Sequence, residues 1–384
     1  MTSRSPTPPT KCRGILLAQI ISGAVQHDIL FYMQNAEEFD HVKRIAKQFL
    51  PDSDVHISRY GNGRINDTYL VEETSGDRVR AILQRLHPIF AFSVLEDTDA
   101  ITRILEREAM LTPRILPTST GALGVEDGDD RWRMLSYIDG VTHEMGLTER
   151  MAESAGMLVG NFHHVLADSS YAFCHVREGF HDTTAIMQTL SDTLLRFSGT
   201  PKHDYLAPIA QAVLREFARD PVLPWSTLPK RVIHGDLKLA NIRFDEEGNA
   251  IALLDLDTLG SRSIAIDLGD AARSWCNKSD EGDILGARFD LGIFRAMMGG
   301  YAGKAKFLTE GERLSVVPAA MTITLELTAR FVTDAFEEKY FRHDAENYTS
   351  LYEQNKAKAE AQFALYRDME SKRGDMERVI RDTR

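Results

Sequence analysis

Apolar positions along the chain change period three times, and each change marks an element. Phe39, Val42, Ile45, Ala46 and Phe49 recur at helical spacing, which predicts an amphipathic helix near the start of the ordered chain. The pattern then shortens to an approximate alternation. Val55, Ile57 and Tyr60, a Gly61-Asn62-Gly63 break, and Ile65, Tyr69 and Val71 read as strand, turn and strand. Val79–Leu83, running into Gln84 and Arg85, predicts a third strand, and strand side chains alternate faces, so only one of those last two can face a given side. Ile101, Ile104, Leu105 and Ala109 share one side of a helix over Asp97–Met110. Leu123–Val125 and Trp132–Ile138 form a last hairpin across Asp127-Gly128-Asp129, and Met134–Gly140 leads out of it.

Beyond residue 140 the period is mostly helical. Met151–Leu166 carries an apolar stripe at Ala155, Leu158, Phe162, Val165 and Leu166. A helix follows Phe180–Thr183, capped by Asp182 or Thr183. Tyr205–Ala218 is the next, ended by a Pro-rich turn at Asp220–Pro224. Phe289–Met298 is expected to stop at Gly299-Gly300. Met321–Tyr340 is mostly core, Tyr352–Met369 is Ala-rich and amphipathic, and the charged tail from Ser371 is expected to fray. Strands segregated before helices imply an α+β chain in two parts.

One stretch interrupts the helical half: RVIHGDLKLANIRFDEEGNAIALLDLD, Arg231 to Asp257. It reads strand, carboxylate loop, strand, acidic Gly turn, strand, carboxylate. Asn241 follows Asp236 by five residues, the Asp-to-Asn spacing of a kinase catalytic loop. Phosphoryl transfer asks for little covalent work and much positioning: one carboxylate for the acceptor hydroxyl, hard oxygens for Mg²⁺. On this reading Asp236 is the base or hydroxyl orienter, and Lys238 neutralises the moving phosphoryl. Asn241 and Asp255 hold the metal, and Asp257 shares metal or substrate duty. His234 orients the loop.

HGDLKLAN followed by LLDLD resembles the aminoglycoside phosphotransferase and choline kinase superfamily. YGNGRINDTYLV, ILQRL, FHDT, LDLDT, DLGDAAR and ARFVTD, in order between residues 60 and 334, are more similar to its N-acetylhexosamine 1-kinase branch. The resemblance implies a two-lobe protein kinase-like fold, with a β-rich N-lobe over 33–139, a helical C-lobe over 140–384, and ATP and Mg²⁺ between them. It implies that Gly61, Asn62 and Gly63 drape over phosphates, although the same tripeptide is equally a plain hairpin turn. Gln84 or Arg85 stands where a kinase holds the α- and β-phosphates. Asp99 and Glu106 are candidate partners of that strand, or ordinary solvated helix charges. Arg64, Arg330 and Tyr340 fall at acceptor-contacting positions, and Asp267 braces the catalytic loop. The implied activity is ATP-dependent phosphorylation of a small-molecule hydroxyl, an N-acetylhexosamine or related sugar first, in carbohydrate metabolism. Choline-, homoserine- or aminoglycoside-type acceptors are the alternatives, and a nucleotide-binding pseudokinase is the third. This chain departs from the branch pattern at Arg64, at Asp236-Leu237-Lys238 and at Leu259-Gly260-Ser261, so the rim of the pocket differs while the core chemistry is kept.

Composition narrows the partners. The chain has 384 residues and a formal net charge of −12, which argues against nucleic acid or an anionic membrane surface. Three scattered cysteines, Cys12, Cys174 and Cys276, make neither a disulfide framework nor a zinc motif and fit a reducing cytoplasm. Residues 1–13 are Pro-, Ser- and Thr-rich, a composition of disorder. Ile15–Val25 has the look of a signal-peptide core but is too short to span a bilayer, and ATP chemistry favours the cytoplasm. Translation starting at Met33 would make residues 1–32 an extension outside the mature protein. A monomer or homodimer is expected.

Overall fold

A computed structural model describes residues 37–61, 65–74, 80–175, 177, 179–219 and 227–383. The expectations for residues 1–32, for Asn62, Gly63 and Arg64, and for the turn at Asp220–Pro224 lie outside the described residues.

The first half is built on an antiparallel sheet. Helix α1 covers 37–49. Strands β1 (Val55–Arg59), β2 (Asp67–Glu73) and β3 (Arg80–Leu86) follow, then α2 (Val94–Arg107), β4 (Ile115–Leu116), β5 (Val125–Asp127) and β6 (Asp130–Ser136). The sheet order is β1-β2-β3-β6-β4, with β5 paired to β6. Alternation sorts its two faces. Tyr69, Val71, Ala81, Leu83, Trp132 and Met134 point to one side and pack against Val42, Ile45, Ala46 and Phe49 of α1. Their neighbours Thr68, Ile82, Gln84, Arg133 and Leu135 line a cleft on the other side.

The second half is helical around one large core: α3 (Glu149–Val165), α4 (Thr183–Arg196), α5 (Pro201–Arg219), α6 (Ile264–Trp275), α7 (Leu291–Lys304), α8 (Glu310–Leu314), α9 (Val316–Glu337) and α10 (Leu351–Asp382). Among the described residues α9 alone is long and apolar enough to cross a membrane, yet 78% of its apolar window is buried in this core. Two small ribbons sit at the inner edge. β7 (Arg231–Ile233) pairs with β10 (Gly260–Arg262), and β8 (Ile242–Phe244) pairs with β9 (Ala250–Leu253).

Several helix bounds differ from expectation, α5 beginning at Pro201 and α9 at Val316, and two C-terminal ends do so for a packing reason. Gly299-Gly300 does not stop α7, which continues to Lys304. Gly300 belongs to a helix crossing, while Gly299 faces open space: a Cβ on Gly300 would stand 2.0 Å from the Glu153 carbonyl oxygen, and one on Gly156 would stand 2.1 Å from that of Met297. Without side chains the α3 and α7 backbones approach closely. Gly156→Ala is therefore expected to destabilise the protein by about 1–3 kcal/mol through overpacking, read as a lower urea midpoint at unchanged slope. The C-terminal tail does not fray at Ser371 either. α10 runs on to Asp382 because Met376, Val379 and Ile380 are buried in the core.

Candidate active site

The loop between β7 and β8 is held from beneath by α6. Ser263 caps that helix, accepting from Ala265 N at 3.2 Å, which sets Asp267 in its first turn under the loop. The fully buried Asp267 carboxylate accepts from His234 N and Gly235 N, each at 2.7 Å. His163 Nε2 donates to it at 3.0 Å, and His163 Nδ1 meets Tyr301 Oη at 3.1 Å. Burial pushes Asp267 up, but His163, His234 and the backbone donors outweigh it and hold the carboxyl below its ordinary value. Gly235 adopts φ +86°, and a Cβ there would meet the Thr258 carbonyl at 2.5 Å, so only glycine suits this turn. His234 Nε2 donates to the Leu254 carbonyl at 2.8 Å, and its Nδ1 accepts from Asp236 N at 3.3 Å. That histidine ties the loop to the strand leading to Asp255.

The loop then delivers its side chains. Lys238 Nζ is ion-paired with Asp236 Oδ2. Asn241 Nδ2 donates to the Asp236 carbonyl at 2.8 Å and to its Oδ2 at 3.2 Å. The Asn241 carbonyl accepts from Leu254 N at 2.9 Å, extending the Ile242–Leu253 pairing, so Asn241 and Asp255 end up side by side across the ribbon. Asp255 sits at φ +59°, ψ +63°, a left-handed conformation that Asp tolerates better than most side chains.

Charges are unevenly balanced here. Burial raises Asp236, but the Lys238 ammonium, with His234 and Arg273, brings it below the ordinary carboxylate value. Lys238 is lowered by burial and raised more by Asp236 and Asp255, so it stays charged. Asp255 opens onto the cleft although protein surrounds it on the other sides. That surrounding mass and the Asp257 charge push it up to about 6, against the opposing pull of Lys238. Among the described residues no protein donor bonds the Asp255 carboxylate or the Asn241 side-chain oxygen. Nor does any cluster of three His, Cys, Asp or Glu side chains form a metal cage among them. Two unspent hard oxygens beside a crowded carboxylate pair fit a divalent cation that draws its remaining ligands from water and phosphate.

The cleft holds about 670 Å³ and brings together Gly61, Gln84, Asp236, Lys238, Asn241, Asp255, Arg330 and Tyr340. Arg85 is not among them. It lies on the Leu83 side of β3, bonded to Asp67 at 3.1 Å through Nε and to Asp130 at 3.3 Å, with its guanidinium 5.8 Å from the Trp132 ring centroid. Of the Gln84/Arg85 alternatives, strand alternation turns Gln84 to the cleft and Arg85 away, so the expected phosphate contact from Arg85 is corrected. Asp99 and Glu106 face Arg114 rather than β3. The acid of α2 with a structural task is Asp97, which accepts from Tyr171 Oη at 2.8 Å, Cys174 N at 2.8 Å and His175 N at 2.7 Å.

Opposite the loop, Arg330 Nη2 and Arg177 Nη2 donate to Tyr340 Oη at 2.8 and 3.0 Å. Burial raises the Tyr340 phenol, but the two guanidiniums outweigh it and lower the pKa. His181 meets Glu326 at 2.9 Å, and Thr183 donates to the same carboxylate. Asp182 caps α4, accepting from Ala185 N at 3.0 Å.

Sequence reading missed Arg133, Asn66 and Arg177, and the bond by which the core histidine His163 braces Asp267. Each acts through a partner more than 60 residues away, and no local pattern marks it. Asp257, expected to share metal or substrate duty, is instead buried and paired with Arg133 and Asn66.

The phosphotransferase enzyme family matches residues 56–303 of this chain. Among solved structures the chain is similar to an amicoumacin kinase in complex with AMP-PNP and Ca²⁺ (13% identity, TM-score 0.55, 84% of this chain and 92% of that one). It is also similar to a microcompartment-associated aminopropanol kinase (17%, 0.55, 87% and 98%). A third likeness is to a choline kinase from Cryptosporidium parvum (10%, 0.55, 84% and 91%). At such identities the likeness concerns the fold, and that fold is the α+β, two-lobe protein kinase-like arrangement expected from the sequence.

Proposed function

Because this chain belongs to the phosphotransferase enzyme family, we propose that it is an ATP-dependent kinase that moves the γ-phosphoryl group to a hydroxyl of a small molecule. The observation that carries this reading is the convergence of Asp236, Lys238, Asn241 and Asp255 on one wall of the cleft. Asp236 orients the acceptor hydroxyl and takes its proton. Lys238, already beside that carboxylate, faces the moving phosphoryl with fixed positive charge. Asn241 and Asp255 hold a divalent cation, Mg²⁺ in the cell, which when bound neutralises the phosphate oxygens. His234 and Asp267 keep the loop rigid. The lobes divide near residue 140, with Gly61 at the mouth of the nucleotide side.

The leading acceptor is an N-acetylhexosamine or related sugar, in cytoplasmic carbohydrate metabolism, with Arg330 and Tyr340 touching it. One observation favours a neutral acceptor over a choline or aminoglycoside type. Two guanidiniums, Arg177 and Arg330, share one phenol on that wall, while acids of the cleft away from the loop are already engaged: Glu326 by His181 and Thr183, Glu281 by Lys358 and Arg273, and Asp280 by Gly282 N. A cationic acceptor would meet like charge there. We read the partners as ATP and a small molecule, with no nucleic acid and no membrane, in a monomer or homodimer. A panel of N-acetylhexosamines, hexoses, choline, homoserine and aminoglycosides, with ADP release read with and without Mg²⁺, tests the reading. Mg²⁺-dependent turnover of a neutral sugar is expected. Turnover confined to cationic acceptors would overturn the acceptor assignment, and no phosphoryl transfer even in a single turnover would point to the pseudokinase.

A further inference from the structure

The sheet face that lines the cleft has an unusual charge pattern for a nucleotide site. The β3 position facing inward is Gln84, which carries no charge. Arg133 stands directly opposite it, since Gln84 and Arg133 are register partners across β3 and β6, and Thr68 is the register partner of Gln84 on the other side. Among the described residues of the sheet that line the cleft, Arg133 is the one cation.

Its surroundings are built rather than incidental. The Gln84 side-chain oxygen accepts from Arg133 Nε at 2.9 Å and Nη2 at 2.7 Å, while Gln84 Nε2 donates to Thr68 Oγ1 at 3.1 Å. Asp257 takes the guanidinium end-on, through Nη1 and through Nη2 at 2.9 Å. Asn66 Nδ2 donates to the same Asp257 Oδ2 at 2.8 Å, and Asn66 Oδ1 accepts from His87 N at 2.9 Å. Arg133 and Asp257 are 1% and 2% exposed. A buried pair of this kind seldom stabilises a fold more than an apolar pair would, so its retention asks for another reason. Four of the guanidinium's five N–H groups are engaged, which leaves one on Nη1 unspent. Asp257 is two residues from Asp255, and the Arg133 charge acts on Asp255 directly.

We propose that Arg133 is the residue of the sheet that binds the nucleotide's phosphates, with Gln84 and Asp257 as the positioning residues that aim it. Kinases commonly build the phosphate anchor as a β3 lysine paired with a helix glutamate, both in the same lobe. Here the cation has moved one strand across, to β6, and its carboxylate comes from the turn after Asp255. The acids of α2 are spent elsewhere, as described above. Two consequences follow. Gln84 is not a lesion at the anchor but its orienting group. And because the ion pair spans the two halves of the chain, lobe geometry and phosphate binding are set by the same contact. A planar guanidinium also suits phosphate better than an ammonium where two acceptors must be satisfied at once.

This rests on the proposed nucleotide site, and the test separates the two. Dissociation constants for ADP and for adenosine are measured by titration calorimetry on the full chain, for the wild type, Arg133→Met, Arg133→Met with Gln84→Lys, and Arg133→Met with Asp257→Asn. Loss of one charge-assisted phosphate contact is expected to weaken ADP on the order of tenfold or more in Arg133→Met, with adenosine unchanged. A lysine at 84 is expected to restore part of the ADP affinity. Arg133→Met with Asp257→Asn removes both buried charges together and carries the same comparison if Arg133→Met alone fails to fold. Equal weakening of ADP and adenosine, or ADP affinity unchanged, would overturn the proposal and leave Arg133 as a core ion pair. Failure to fold of both Arg133→Met and Arg133→Met with Asp257→Asn would do the same. A wild-type protein that binds no ADP would instead overturn the nucleotide site itself.

Discussion

Asp236→Asn is expected to lower kcat by a factor on the order of 10²–10⁴, the usual range for losing a positioned acid–base group, with nucleotide affinity nearly unchanged. The substitution keeps the shape of the side chain. The loop does not depend on the Asp236 carboxylate for its form: Asp267 holds the His234 and Gly235 amides, Ser274 Oγ accepts from Leu239 N at 2.9 Å, and Trp275 Nε1 donates to the Leu237 carbonyl at 2.8 Å. Asn241 also keeps its bond to the Asp236 carbonyl. What disappears is the proton acceptor, in a carboxyl that Lys238 keeps ionised despite burial. The effect therefore falls on a step after binding, and kcat and kcat/KM drop together. Parallel loss of turnover and ADP binding would mean that Asp236 supports the site rather than acting in it.

Much of this arrangement is legible in the chain, for identifiable reasons. The Asp236, Asn241 and Asp255 spacing is local, because one tight loop and one short ribbon carry all three. The alternation from Tyr69 to Val71 and from Ala81 to Leu83 is read directly because one face is packed on α1. Where two readings shared the same local signal, tertiary packing decided. Gly299-Gly300 has the composition of a helix stop, but α3 crosses α7 there and needs the missing side chain of Gly300. Charged residues after Ser371 hide Met376, Val379 and Ile380, whose burial depends on partners far away in sequence. Arg133 looks like any charge in a hairpin strand. Only its register against Gln84 and its meeting with Asp257 single it out. His163 sits on an apolar helix stripe and reads as a core histidine, which it is, but one that also bonds the loop's anchoring carboxylate.

The second large effect concerns the cation, and it bears most directly on the account. Asp255 and Asn241 are neighbouring groups at the catalytic loop with hard oxygens that no protein donor occupies among the described residues. Burial first, and the Asp257 charge after it, also push the Asp255 carboxyl up to about 6, a cost that a bound cation relieves. A divalent ion satisfies both. Removing either oxygen should cost more than the roughly 10–100-fold in metal affinity typical of losing an outer-sphere partner; neither oxygen holds other protein groups, and Asn241→Ala gives up in addition only the Nδ2 bonds to Asp236. The direct measurement is Mn²⁺ binding by electron paramagnetic resonance, in the presence of AMP-PNP, for the wild type, Asp255→Asn and Asn241→Ala. Nucleotide-dependent Mn²⁺ binding in the wild type, weakened beyond that range in both variants, is the expected result. Mn²⁺ affinity that is the same in all three proteins would contradict it.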